Sequence, residues 1–141
     1  MKKIVSLCWK NSADRNIGFL VLRVFLGLGL LTHGLPKLAA GPERWEGLGQ
    51  VVTGIGVPGP AVFWGFMSAF AESIGAIFLV LGLLTPLMAL LIVINMSVAV
   101  FVAHSGDPFA GREMALLYLF GSLMFMLKGA GHYAVDRFLP R

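Results

Sequence analysis

Apolar residues in this chain fall into four long runs, separated by short stretches rich in glycine, proline and charge. The pattern predicts helices over about residues 17–38, 60–83, 86–104 and 113–131. About 20 residues cross the hydrocarbon of a bilayer as a helix, so each run is long enough to span. Thr85-Pro86 leaves almost no connection between the second and third runs, which therefore form an antiparallel hairpin. Between the first two runs, Trp45, Leu48, Val52 and Ile55 recur at helical spacing beside Glu43, Arg44, Glu46 and Gln50. That spacing predicts an amphipathic helix over about residues 43–55, lying in the interface or acting as a lid. Residues 105–111 read as a turn-rich loop. The expected architecture is all-α: a membrane-embedded four-helix bundle forming a single domain over residues 1–141, with a short amphipathic helix in its first outer loop.

Composition agrees with lipid as the main solvent. The chain is 57% hydrophobic and 13% charged, with a mean hydropathy of +0.85, whereas roughly a quarter of the residues in soluble domains are charged. Its net charge of +4 is gathered mostly at the ends, where Lys2, Lys3, Lys10 and Arg15 precede the first run and Lys128, Arg137 and Arg141 close the last. The loops expected on the opposite side carry Lys37, Arg44 and Arg112. The positive-inside rule then puts both termini in the cytoplasm. These cations anchor the protein to a membrane surface; no basic patch interleaved with aromatics points to nucleic acid. A cleaved signal peptide fits the first run poorly, because Arg23 interrupts it and Pro36-Lys37 flanks its end. The single cysteine, Cys8, excludes an internal disulfide and dithiol chemistry within this chain.

Two charges sit deep in these runs, Arg23 in the first and Glu72 in the second. A charge at such depth is costly, at about 2.5–3.5 kcal/mol on insertion scales, and needs a partner or a function. Glycines and small residues flank both: Gly27 and Gly34 near Arg23, and Gly65, Ser68, Ala69, Gly75 and Ala76 near Glu72. Counted from Ile17 and Leu83, the two charges differ in depth by about 7 Å, within reach of an arginine side chain. An Arg23–Glu72 pair is the simplest arrangement, either as a structural ion pair or as the lining of a cavity that also takes in His33. Asn95 and Ser97 in the third run are expected to hydrogen-bond between helices.

A second polar group, Lys37, His104, Arg112 and Glu113, gathers with His33 at the outer ends of the helices. It suits a quinone, an anion or proton transfer, and equally suits ordinary helix-end polarity. No H-x-x-x-H supports a metal at His33, His104 and Glu113, and no metal site is assigned. Both histidines lie at helix ends, which disfavours axial haem ligation. Phosphate-binding loops, dinucleotide fingerprints, G-x-S-x-G and haem-attachment motifs are absent from the sequence.

Several stretches together resemble the DoxX family: His33-Gly34-Leu35-Pro36-Lys37 after an arginine-bearing first helix, Ala71-Glu72 in a glycine-rich second helix, and Leu81-Gly82-Leu83-Leu84-Thr85-Pro86. His104, Glu113 and Gly129-Ala130-Gly131-His132-Tyr133-Ala134-Val135-Asp136 complete the likeness, which runs from about Ile17 to Asp136. The chain departs from the family pattern at Pro86, where arginine often follows the threonine, and at His132 and Ala134. The resemblance implies a small multi-pass protein of the bacterial inner membrane, related to a membrane subunit of thiosulfate:quinone oxidoreductase and to proteins that act with redox-stress partners. One reading makes the chain a redox subunit in which quinone meets Arg23, Glu72 and His33 and other redox subunits are the partners; a homo-oligomer is equally open to it. No electron carrier is visible in the sequence, and the other reading is a non-enzymatic protein that binds, transports or assembles through the same polar cavity.

Overall fold

The computed structural model describes residues 17–138, so Cys8 and the terminal cations Lys2, Lys3, Lys10, Arg15 and Arg141 lie outside the described residues. Regular structure among the described residues is entirely helical. Helix α1 covers Ile17–Ala39, α2 Pro42–Thr53, α3 Ala61–Glu72, α4 Ile74–Leu81, α5 Thr85–Val98 and α6 Phe109–Lys128. A π-helical turn, Ala99–Ala103, prolongs α5, and a 3-10 turn, Val135–Phe138, closes the described chain. Four stretches are long and apolar enough to cross a membrane: α1, α3 with α4, α5 with its π turn, and α6.

The fourth span begins earlier than hydropathy alone indicates. The extended Pro108 precedes it, and Phe109, Ala110 and Gly111, expected in a loop, form its first turn. Arg112 and Glu113 therefore sit inside α6 and do not open it. At the other end Gly129, at φ 76°, stops the helix in a backbone conformation that suits glycine.

The spans form a ring in chain order. Helix α1 packs on α3 and α4 and on α6, while α5 packs on α4 and α6. Leu26, Leu30, Leu79, Ile92 and Phe125 fill the middle of the bundle, while Val21, Phe25, Phe101 and Leu127 face outward where lipid is the solvent. Glycine sets the register between α1 and the second span. Gly34 lies against the backbone of Glu72 and Ser73, and Gly27 lies against Ala76 and Val80. Small residues at these points let the helix backbones approach closely. The same device docks α2, whose Gly49 meets the Ala61 carbonyl while Gly65 of α3 meets the Trp45 backbone. Helix α2 is amphipathic as expected, with Glu43, Arg44, Glu46 and Gln50 exposed and Trp45, Leu48 and Gly49 turned toward the bundle.

The second span is broken at Ser73, where φ is −108° and ψ is −76°. The Ser73 hydroxyl donates to the Ala69 carbonyl at 2.5 Å, a back-bond that bends helices. At the end of the bundle where α1 begins and α6 finishes (the terminal face), residues 129–138 fold across the α4–α5 turn. The Asp136 carboxylate accepts the Leu84 amide at 2.6 Å and the Thr85 amide at 3.0 Å, and its own amide donates to the Gly82 carbonyl at 2.9 Å. Leu84 is held at φ 48°, unfavourable for a residue with a side chain, so the turn depends on these bonds.

Replacing Gly49 by Val forces a Cβ into the α3 backbone and is expected to destabilise the protein by about 1–3 kcal/mol. Gly47→Ala, which meets nothing, serves as the control in a thermal melt in detergent. Asp136→Ala removes the cap on α5 and is expected to lower stability by about 0.5–2 kcal/mol in the same assay.

Candidate functional site

Glu72 ends α3 at the break in the second span and is only 3% exposed. Two donors make three hydrogen bonds to its carboxylate. Lys37 Nζ lies 2.7 Å from Oε1 and 2.6 Å from Oε2, and Asn95 Nδ2 donates to Oε1 at 2.8 Å. Each donor follows from local structure. Gly34 brings α1 against the Glu72 backbone, and Lys37 stands about one turn further along, so its stem folds back to the carboxylate. Asn95 comes from α5, where it faces the second span as expected for an interhelical hydrogen bond. Ser97 does not take that role; its hydroxyl back-bonds to Val93 in its own helix at 2.7 Å.

The lysine is anchored from behind. Carbonyls in the last turn of a helix lack partners along the helix, and that of Lys37 accepts the Trp45 indole N–H at 2.9 Å. Trp45 meets the Phe66 ring edge-on at 5.1 Å, fixing α2 over the site. The Lys37 side chain remains 26% exposed against 4% for Glu72, so the buried pair is approached through its lysine. Tyr118 of α6 closes the side between α1 and α6. Its hydroxyl lies against Gly29, and its ring meets His33 edge-on at 6.1 Å.

The expected Arg23–Glu72 pair does not form. Arg23 is 1% exposed and donates Nη1 to the Ala130 carbonyl and Nη2 to the Tyr133 carbonyl, while Gly82 packs on its guanidinium. Counting inward from the edges of the apolar runs sets Ile17 level with Leu83. The glycine register sets Arg23 level with Gly82 instead, about 16 Å from Glu72 along α1.

The other sequence candidates separate in a similar way. His33 lies one turn from Lys37 on α1, exposed and against Tyr118, away from Arg23. Lys37 leaves the expected outer cluster for Glu72. His104 follows the π turn and pairs through Nδ1 with Asp107 Oδ2 at 2.7 Å. Arg112 and Glu113 lie on α6, and among the described residues neither forms an ion pair. Sequence reasoning missed Trp45 and Tyr118 as parts of the site; the spacing of Trp45 along α2 marked it only as apolar. It also missed Asp107, although the short spacing His104-x-x-Asp107 was a usable signal.

The arrangement is an ion pair of zero net charge within a spanning bundle, bonded from three helices. Intramembrane ionisable groups that face a bundle interior mark ligand sites or proton relays in other membrane proteins, and broken spans commonly accompany such sites.

Comparison with known proteins agrees with this picture. The DoxX family model matches residues 18–105, the stretch that supplies Lys37, Glu72 and Asn95. A Bacillus subtilis (strain 168) protein named "Putative oxidoreductase CatD" is 32% identical over 124 residues, 87% of this chain and 87% of that protein. An uncharacterized protein of Haemophilus influenzae is 31% identical over 122 residues, 82% of this chain and 85% of its own length. No solved structure matches the chain. The chain belongs to the DoxX family and is a multi-pass membrane protein, with four candidate spans among the described residues.

Removing one partner of the pair should have unequal effects. Lys37→Met strands a buried carboxylate and is expected to cost about 3–5 kcal/mol. Glu72→Leu leaves a lysine that can reach water and should cost less. The double variant Lys37→Met, Glu72→Leu should recover most of the loss, as read in a double-mutant cycle of detergent melts.

Proposed function

We propose that this DoxX protein is a membrane component of a quinone-linked redox system, with the Lys37–Glu72 pair as its working site. The observation that carries this reading is a carboxylate 3% exposed within a span whose counter-ion is a lysine still 26% exposed. A buried carboxylate reached through a partly exposed ammonium is suited to taking up and passing on protons. The oxidoreductase in the name of the Bacillus relative supports the same class of activity.

The donor set fits a quinone head group. His33, Lys37 and the Tyr118 hydroxyl offer hydrogen-bond donors for a carbonyl oxygen, and Glu72 is a proton acceptor among them. A bound quinone supplies two-electron, two-proton chemistry. The residues of the chain orient the head group, exclude water from the far side through the Leu30 and Ile92 packing, and hold a proton at Glu72 Oε1 or Oε2. Arg23 has no part in the site, since both its terminal nitrogens serve the Ala130 and Tyr133 carbonyls. Electrons come from other redox subunits. The cation distribution supports a bacterial inner-membrane location with both termini cytoplasmic, because Lys128 and Arg137 lie toward the terminal face while Lys37 is neutralised by Glu72.

One observation favours a second reading. Both oxygens of Glu72 already have protein donors, which suits a non-enzymatic protein that binds or moves a lipid or small molecule beside a fixed pair.

The two readings separate when protein purified in mild detergent is extracted and its quinone measured by chromatography. The redox reading expects quinone in near-equal amount with wild type and roughly tenfold less with Glu72→Gln. Bulk lipid alone in both proteins overturns it in favour of the second.

A further inference from the structure

The terminal face carries a feature unrelated to the Glu72 site. A groove of about 360 Å³ runs between the end of α4 and the segment after α6, lined chiefly by Leu81, His132, Tyr133, Val135, Arg137 and Phe138. Its two sides differ in chemistry. Leu81, Val135 and Phe138 make an apolar side, all exposed, Phe138 at 85%. Arg137 and His132 make a cationic side, where Arg137 Nη1 lies 2.5 Å from His132 Nε2 and 3.1 Å from Nδ1, so the guanidinium carries the charge of this side and the imidazole accepts from it.

Among the described residues the Arg137 guanidinium forms no ion pair. Asp136, the carboxylate next in sequence, spends both oxygens on the Leu84 and Thr85 amides. Arg23 lies just beneath, bonded to the Tyr133 carbonyl, and with Asp136 offsetting one of the two guanidinium charges this end keeps a net positive charge. Leu81 is the last residue of the second span, so the groove stands where hydrocarbon gives way to head groups. Tyrosine and arginine are the side chains that favour this depth.

We propose that this groove binds the phosphate of an anionic phospholipid. Arg137 meets two phosphate oxygens in the bidentate geometry its guanidinium allows, while His132 accepts from Nη1 and holds the guanidinium in place. The first methylenes of the acyl chain lie on Leu81, Val135 and Phe138, continuous with the lipid-facing side of α4. Among the described residues no carboxylate lines the groove to receive a choline or ethanolamine ammonium, so the preference is for a head group of net negative charge. The site holds lipid whether or not the Glu72 pair handles quinone.

Native mass spectrometry of the full chain in detergent, titrated with phosphatidylglycerol or phosphatidylcholine, tests the site. Wild type is expected to retain phosphatidylglycerol about tenfold better, a preference lost in Arg137→Gln and kept in part by Arg137→Lys. Phe138→Ser should weaken both lipids without changing their ratio, which keeps the apolar half of the site testable on its own. Equal retention of the two lipids by wild type, or an unchanged preference in the double variant His132→Gln, Arg137→Gln, overturns the proposal. Competition by soluble glycerol phosphate at the same concentration as lipid also overturns it, by assigning the groove to free phosphate. An unchanged thermal midpoint in the variants shows that binding, and not folding, was altered.

Discussion

The bond between Lys37 and Glu72 is the constraint around which the far half of this bundle is arranged. Lipid offers no hydrogen bonds, so a carboxylate buried within a span must find its donors in the protein. Glu72 finds them on α1 and α5, and the lysine that serves it is held by Trp45 of α2. One carboxylate thereby ties three spans and the amphipathic helix together. Gly34 makes the bond geometrically available by letting α1 lie on the Glu72 backbone.

The two ends of the bundle use their cations differently. Arg23 holds carbonyls, keeps its charge at any ordinary pH and so makes a permanent clasp. Lys37 is a compact ammonium on a flexible stem, part exposed, able to swing from its partner. A fixed charge thus sits where the fold must stay closed, and a movable one beside the buried acid. Ser73 adds to the contrast: the span is interrupted directly after Glu72, so the acid sits at the one place where the helix is already bent.

Much of the fold was legible in the sequence because bilayer thickness fixes span length and the apolar runs show it directly. The amphipathic α2, the buried position of Glu72 and the interhelical role of Asn95 followed from spacing and cost. The partner of Glu72 did not. Hydropathy marks where a run starts and stops, but helices project beyond the hydrocarbon by different amounts, and α1 reaches past the end of α4. The glycines that define the true register, Gly27 and Gly34, were visible as close-packing residues, yet which residues they oppose depends on tertiary packing. The capping of Leu84 and Thr85 by Asp136 was equally hidden, since 52 and 51 residues separate donor and acceptor and nothing local announces the contact.

The clasp on Arg23 has a consequence for how the chain is made. Its acceptors, Ala130 and Tyr133, lie 107 and 110 residues downstream. At ordinary rates of synthesis those residues leave the ribosome roughly 5–20 s after Arg23 does. During that interval the first span is already a membrane segment with an unsatisfied guanidinium. The nascent protein must therefore shelter Arg23 at the insertion machinery, or let it reach for the surface, until Ala130 and Tyr133 arrive. Assembly of the bundle in this sense waits on residues made long after the first helix, and a ribosome that stops short of Ala130 leaves that helix without its anchor.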